Sequence, residues 1–354
     1  MSKDRYVAYV GTYTHGTSVG IHIYDMDVEA GKLTERKVVP INNPSDLTVA
    51  ANGKFLYSIA DEGVAAFRIM EDGDLEPMNE KWIGGMRGCY VAVDNENRYL
   101  FVGGYHDGRV TMMRLNQDGS IGEIADGIFH TGIGRSIAEH NYRPHVNCVE
   151  LTPWQHYLCA VDGGLDHVKI YEIDYERGKL KIADILREHI DSSPRMIRFS
   201  KDGAHAFVLC EERNEVNAYL YQCTPDGPVF ERVQTLPTVN EKEKKNCAAS
   251  GMEISEDGKY LFCSNAGANS VIIYAINEES GELTEICESK ISGDYPKTLA
   301  IFPDGRHFVS LNHDTNEITT FKMDYEKKCF LMSNKPIAID QPNCIHIHKL
   351  VSGA

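Results

Sequence analysis

The sequence is organised by a short turn, Gly-x-Leu set among polar residues, that returns along the whole chain. It reads "AGKLTE" at Gly31, "DGDLEP" at Gly73, "DGSIGE" at Gly119, "RGKLKI" at Gly178, "DGPVFE" at Gly227 and "SGELTE" at Gly281, with a degenerate copy, "EKKCFLM", around Lys328. A second signal lies between these copies, a tight turn joining two β-rich runs, as in "AANGKFLYSIA" at Gly53, "SKDGAHAFVLC" at Gly203, "SEDGKYLFCSN" at Gly258 and "FPDGRHFVSLN" at Gly305. Asn97 and Gln155 hold the glycine position in the two remaining copies. Asn-Gly and Asp-Gly between apolar runs mark β-hairpins, because the two-residue turns favoured there need positive φ. After each hairpin comes a third alternating run, such as "GVAAFRIM" or "NSVIIYAI".

A unit of roughly four short strands, repeated at roughly 42 to 59 residues without helical periodicity, is the mark of a β-propeller. The count of Gly-x-Leu turns predicts an all-β, seven-bladed β-propeller with four-stranded antiparallel blades. Its 354 residues then form a single domain, 1–354, whose core is distributed over many small units rather than split between two ordinary domains. Both ends read as strands, "RYVAYVGTY" and "NCIHIHKL", and the ring is expected to close by placing them in one blade, which removes the last open edges.

Charge and composition narrow the function classes. With 52 acidic and 36 basic residues the chain carries a formal charge of −16, which repels nucleic acid and anionic membranes, so neither is expected as a partner. No apolar run approaches the ~20 residues of a membrane helix. The amino terminus lacks the features of a secretory signal, which gives a cytoplasmic expectation. Ten cysteines are scattered singly without CxxC spacing and read as mostly buried thiols. There is no GxSxG, P-loop or HExxH motif, and no cofactor or metal is expected. His346 and His348 share one face of the terminal strand but lack a visible third ligand, so they read as packing. The charge run at 240–246 reads as a solvated loop.

Counting from the hairpin glycine of each blade places two columns of residues at one sheet edge. Eight positions before it stand Ser45, Cys89, Asn147, Arg195, Ser250 and Lys297; eight after it stand Asp61, Tyr105, Gly163, Glu211, Ala266 and His313. The start of one antiparallel strand and the end of the next meet at the same edge, so both columns ring one channel mouth. Strand alternation puts His145 on the same side as Asn147. Arg143, Arg195, Arg198 and Lys297 could make a positive funnel on an acidic protein, although Arg198, three places from Arg195, should face away. Glu211 beside Arg195 is an acid/base candidate. The insert "HTGIGRSIAEHNYRPH" before His145 reads either as a cover over this mouth or as a passive connector.

The segments "YVGTYT", "RPHVNCVELTP", "PRMIRFSKDGAHAFVLCEE", "EDGKYLFCSNAG" and "FPDGRHFVSLNHD", in this order, resemble the 6-phosphogluconolactonase family of seven-bladed propellers, which includes carboxy-cis,cis-muconate cyclase. The resemblance spans nearly the whole chain. It implies hydrolysis of a sugar lactone, with His145, Arg195 and Glu211 as catalytic residues and with Arg143, Lys297, Asn147 and His313 as candidates for holding a small anionic substrate. The chain departs from the family pattern where Ala266 replaces an arginine, Asn147, Met196 and Tyr90 replace histidines, and Lys297 replaces an arginine. Because the family includes the cyclase, the resemblance also admits a muconate-type cycloisomerase, against which the arginine missing at Ala266 counts, and the substitutions favour a third reading, a non-catalytic propeller that binds a ligand or a protein.

Overall fold

The computed structural model describes residues 4–132 and 143–350. They form seven antiparallel sheets arranged as blades, with no helix among the described residues. The first blade runs, from the ring's centre outward, Pro342–Lys349, Tyr6–Thr12, Gly20–Asp27 and Lys32–Pro40. The terminal strands therefore share one blade as expected, the carboxy-terminal one innermost, pairing Tyr6 with Lys349 and Val10 with Ile345. The other six blades each use four consecutive strands, and the last carries an extra two-residue strand, Ile337–Ala338, against its third.

Each blade is covered on both faces by its neighbours, and the pattern of side chains follows from that. Second strands such as Phe55–Ala60 (FLYSIA) and His205–Cys210 (HAFVLC) are buried at every position and read as continuous apolar runs. Outer strands such as Lys32–Pro40 are mostly exposed, with only Leu33 and Val39 buried. Seven apolar clusters fill the seven wedges between blades. One joins Ala8, Val10 and Tyr24 of the first blade to Phe302, Val309 and Leu311 of the last, so the ring is closed by packing as well as by hydrogen bonds. Six of the ten cysteines are buried within this core, and all ten are free thiols.

The turns answer to the sequence in detail, with one correction. Gly31, Gly73, Gly119, Gly178, Gly227 and Gly281 all have positive φ, and Lys328 at the degenerate copy has φ 51°. In the fifth blade Val229 is exposed and the neighbouring Phe230 packs instead against Phe199 and Tyr221. The inner hairpins are not two-residue turns. At the first of them Ala50 donates to Phe55 O and Gly53 donates to Ala50 O, so residues 51–54 form a longer loop with one left-handed residue, Gly53 at φ 68°. Asn97 (φ 57°) and Gln155 (φ 61°) take the same conformation where glycine is missing. Residues 240–246 form a loop, as the charge run suggested.

Candidate active site

The inner strands enter the ring through a repeated irregularity. Strand pairing passes from Val146 to Cys148, from Pro194 to Met196, from Ala249 to Gly251, from Pro296 to Thr298 and from Pro342 to Cys344. The residues left out of the ladder are Asn147, Arg195, Ser250, Lys297 and Asn343, and all five line one cavity of about 410 Å³. A bulge releases one residue from pairing and re-aims its side chain, here toward the central axis. In several blades a left-handed residue and a proline lead into this position: Asn43-Pro44 before Ser45, Ser193-Pro194 before Arg195, Tyr295-Pro296 before Lys297 and Gln341-Pro342 before Asn343. His145 and Asn147 both line the cavity, on the side expected for the two together, and Asn147 is itself the bulged residue.

His145 is held on several sides. Its backbone N–H donates to Asp162 Oδ1 at 2.9 Å, its ring lies 4.4 Å from the Tyr105 ring in a stacked arrangement, and Nδ1 is 2.8 Å from the Tyr105 carbonyl oxygen. A carbonyl only accepts, so Nδ1 carries a proton, which in the neutral tautomer leaves the lone pair at Nε2. Nε2 has no hydrogen-bond partner among the described residues. Asp162 Oδ1 also accepts from the backbone of Gly164 and Leu165, while Oδ2 meets His130 Nδ1 at 2.6 Å; His130 Nε2 in turn meets the Tyr171 hydroxyl at 3.0 Å.

Arg195 and Glu211, eight positions either side of the inner hairpin of the fifth blade, form an ion pair in the cavity wall. Arg195 Nη1 donates to Glu211 Oε2 at 2.7 Å and Nε donates to the Ser250 carbonyl at 2.7 Å. Among the described residues, Nη2 and the second Nη1 proton have no hydrogen-bond partner. Asn147 donates to the Pro194 carbonyl at 3.1 Å. Opposite it stands Gly163, where a Cβ would come within 2.5 Å of Asn147 Nδ2 and 2.8 Å of Ser193 Oγ; that column position is a glycine because nothing larger fits. Lys297 faces the cavity, and its burial, with the charge of Arg195 added, lowers its ammonium to about 8.

The first column enters the cavity at all six of its positions, whereas the second contributes only Tyr105 and Glu211. Asp61 is bonded by Asn43 instead, and Ala266 is buried away from the cavity. His313 does not line it but stands between Tyr13 and Tyr295, edge-on to Tyr13 at 5.9 Å and to Tyr295 at 6.2 Å. Arg143 is exposed and also outside the lining. Arg198 lies elsewhere as expected, between Glu150 and Glu253 at 3.1 and 3.3 Å. Residues 133–142 of the long insert lie outside the described residues.

The sequence reading missed Asp46, Arg87, Tyr13, Tyr295 and Asn343, all of which line the cavity. Asp46 accepts from Val91 N at 2.8 Å, and burial raises its carboxyl to about 7, against the opposing pull of that bond and of Arg198. Asn343 escaped because the closing blade has no inner hairpin from which to count; the recurring x-Pro-x entry would have found it.

Among the described residues one group could hold a metal, His130, Asp162 and His167, whose donor atoms lie within 4.8 Å of one another. His130 and Asp162 are already joined at 2.6 Å, and the arrangement is accounted for as a buried hydrogen-bonded pair. His346 is half-buried, and the loss of hydration there lowers it to about 4, while His348 stacks on Tyr9, so both belong to packing.

Comparison with known proteins agrees with this architecture. The sequence profile described as "Lactonase, 7-bladed beta-propeller" matches residues 7–347. The 6-phosphogluconolactonase of Bacillus subtilis strain 168 is 29% identical over 347 residues, covering 96% of this chain and 98% of its own. A solved structure from Bacteroides fragilis, 28% identical, superposes with a TM-score of 0.89 over 98% of this chain and 99% of its own. The periplasmic gluconolactonase PpgL of Pseudomonas aeruginosa, at 22% identity, shares the fold with a TM-score of 0.91 over 98% of this chain and 100% of its own.

Proposed function

The chain belongs to the lactonase family of seven-bladed β-propellers, and from that premise we propose that it hydrolyses a sugar lactone, with 6-phosphogluconolactone as substrate and 6-phosphogluconate as product. The observation that carries this reading is the fixed tautomer of His145, which turns a basic nitrogen toward a cavity whose wall also holds the Arg195 guanidinium.

Hydrolysis of a lactone needs a base for water, a donor for the oxyanion and an acid for the leaving alkoxide. His145 Nε2 takes a proton from water as its oxygen attacks the lactone carbonyl. The free N–H groups of Arg195 receive the negative charge that develops on the carbonyl oxygen. As the tetrahedral intermediate collapses the ring C–O bond breaks, and the imidazolium returns its proton to the ring oxygen. Glu211 is committed to Arg195 at 2.7 Å, so its part is to hold the guanidinium rather than to carry the proton. A sugar-phosphate substrate would place the reaction in the cytoplasm, on the pentose phosphate pathway.

The test is hydrolysis of 6-phosphogluconolactone and of gluconolactone by the purified protein, with the spontaneous rate subtracted. Rates at background on both would overturn the proposal. Parallel incubation with carboxymuconolactone would detect the cycloisomerase reaction instead.

A further inference from the structure

The cavity has three cationic side chains in its lining, Arg87, Arg195 and Lys297, and they are not equivalent. Arg195 is neutralised by Glu211. Arg87 and Lys297 have neither an ion pair nor a hydrogen bond among the described residues, and each instead lies near a tyrosine. The Arg87 guanidinium carbon is 5.4 Å from the centre of the Tyr13 ring, and Lys297 Nζ is 5.9 Å from that of Tyr295. The two tyrosines are joined by His313, which meets the edge or face of each. Arg87, Tyr13, His313, Tyr295 and Lys297 therefore form a continuous arch with a positive group at each end. It is supplied by the first, third and seventh blades, whereas His145, Arg195 and Glu211 come from the fourth and fifth.

Such an arrangement has a physical cost unless a ligand completes it. An ammonium and a guanidinium facing one cavity are partly desolvated with no carboxylate paired to either at contact distance among the described residues, and the tyrosine faces return only about 1 kcal/mol each. Tyr295 is itself held at φ 57°, a conformation that a non-glycine side chain seldom adopts. The Asp46 and Glu212 carboxyls also line the cavity. Asp46 makes its hydrogen bond to a backbone N–H and pairs with neither cation.

We propose that Arg87 and Lys297 form a two-pronged site for the anionic group of the substrate, a phosphate monoester, positioned by the Tyr13–His313–Tyr295 arch in the same cavity as His145. This rests on the lactonase reading for the identity of the substrate, but the site itself does not require catalysis. Arg87 is then the specificity residue for a phosphorylated over an unphosphorylated sugar acid, and Lys297 keeps the substrate-holding role that the resemblance implied for it. An arginine offers two parallel N–H donors to phosphate oxygens, and the lysine acts as a point charge.

Isothermal titration with 6-phosphogluconate and with gluconate at pH 7 tests it without turnover. The wild-type protein is expected to prefer the phosphorylated acid by about a hundredfold, and Arg87→Ala and Lys297→Met each to reduce that preference by about tenfold. Arg87→Lys, which keeps the charge, should retain part of it and serves if Arg87→Ala disturbs the fold. Equal affinity for both acids in the wild type, or an unchanged preference in both Arg87→Ala and Arg87→Lys, would overturn the assignment. Hydrolysis of gluconolactone by the same proteins keeps the two readings apart. A phosphate preference without hydrolysis leaves the anion site standing and removes the lactonase reading; hydrolysis without the preference does the reverse.

Discussion

Asp162→Asn probes the support beneath His145 most directly. The wild-type carboxylate accepts backbone N–H bonds from His145, Gly164 and Leu165 at 2.9, 3.0 and 3.1 Å, and a fourth bond from His130 at 2.6 Å. Asparagine has the same shape, so its amide oxygen can keep the three backbone donors, and His130 can change tautomer to accept from the new NH₂. What is lost is charge assistance. A hydrogen bond to a charged acceptor contributes about 1 kcal/mol more than one to a neutral acceptor, so four of them amount to roughly 3–4 kcal/mol. At ~2.1 cal/mol/K per residue, unfolding entropy for a chain of this length converts that into a lower midpoint of about 4–5 °C. The sign with pH follows from the carboxyl itself. Burial pushes it up, but the His130 and backbone hydrogen bonds outweigh burial and hold it below its ordinary value. Its contribution is therefore complete above the unfolded value of about 4 and is lost as the pH falls through the folded one. Thermal scans of both proteins at pH 7.5 and at progressively lower pH measure the gap, which should narrow toward acid. A variant within about 0.5 kcal/mol of wild type at pH 7.5, or a gap that widens as the pH drops, would refute the reasoning.

Three further outcomes are expected. His145→Ala should lower kcat for lactone hydrolysis by about 10²–10⁴ with little change in KM, because it removes the proton carrier and not the anion contacts; steady-state kinetics decide this. Between pH 7 and 9 the Lys297 ammonium, at about 8, goes from ~0.9 to ~0.1 charged. Affinity for 6-phosphogluconate should weaken over that interval, and Lys297→Arg should abolish this limb in titrations across the range. Gly163→Ala should destabilise by about 1–3 kcal/mol in urea titration, because its Cβ would meet Asn147 Nδ2 at 2.5 Å, and adding Asn147→Ala should recover part of that loss.

The architecture was legible because each blade repeats the same backbone requirement. A left-handed residue is needed at every outer turn, and even the degenerate copy at Lys328 obeys it, so counting turns counted blades. The Arg195–Glu211 pair was legible for a similar reason, since antiparallel strands bring equal offsets from a hairpin to one edge. What alternation could not supply was the bulge at five of the seven strand entries, a two-against-one pairing that depends on the partner strand and leaves no period in the chain's own sequence. Position along a column likewise did not determine access to the cavity. His313 and Lys297 both belong to the seventh blade's columns, yet the imidazole is enclosed between two tyrosines while the ammonium reaches the cavity. Arg87 carried no signal of its own because it precedes its strand in a loop, where neither period nor turn chemistry constrains a side chain.

The bulged positions have a consequence for how such a protein can change. Asn147, Arg195, Ser250, Lys297 and Asn343 take part in no rung of the ladder, so the sheet places few demands on what they are. Replacing one of them alters the chemistry of the cavity and removes side-chain bonds, such as that from Asn147 to the Pro194 carbonyl of the next blade, while no rung of the ladder depends on it. The ring thus offers a set of fixed seats whose occupants can be exchanged one at a time. An arginine given up in one blade can be answered by a cation adopted in another, and selection can explore new substrates without first renegotiating the fold.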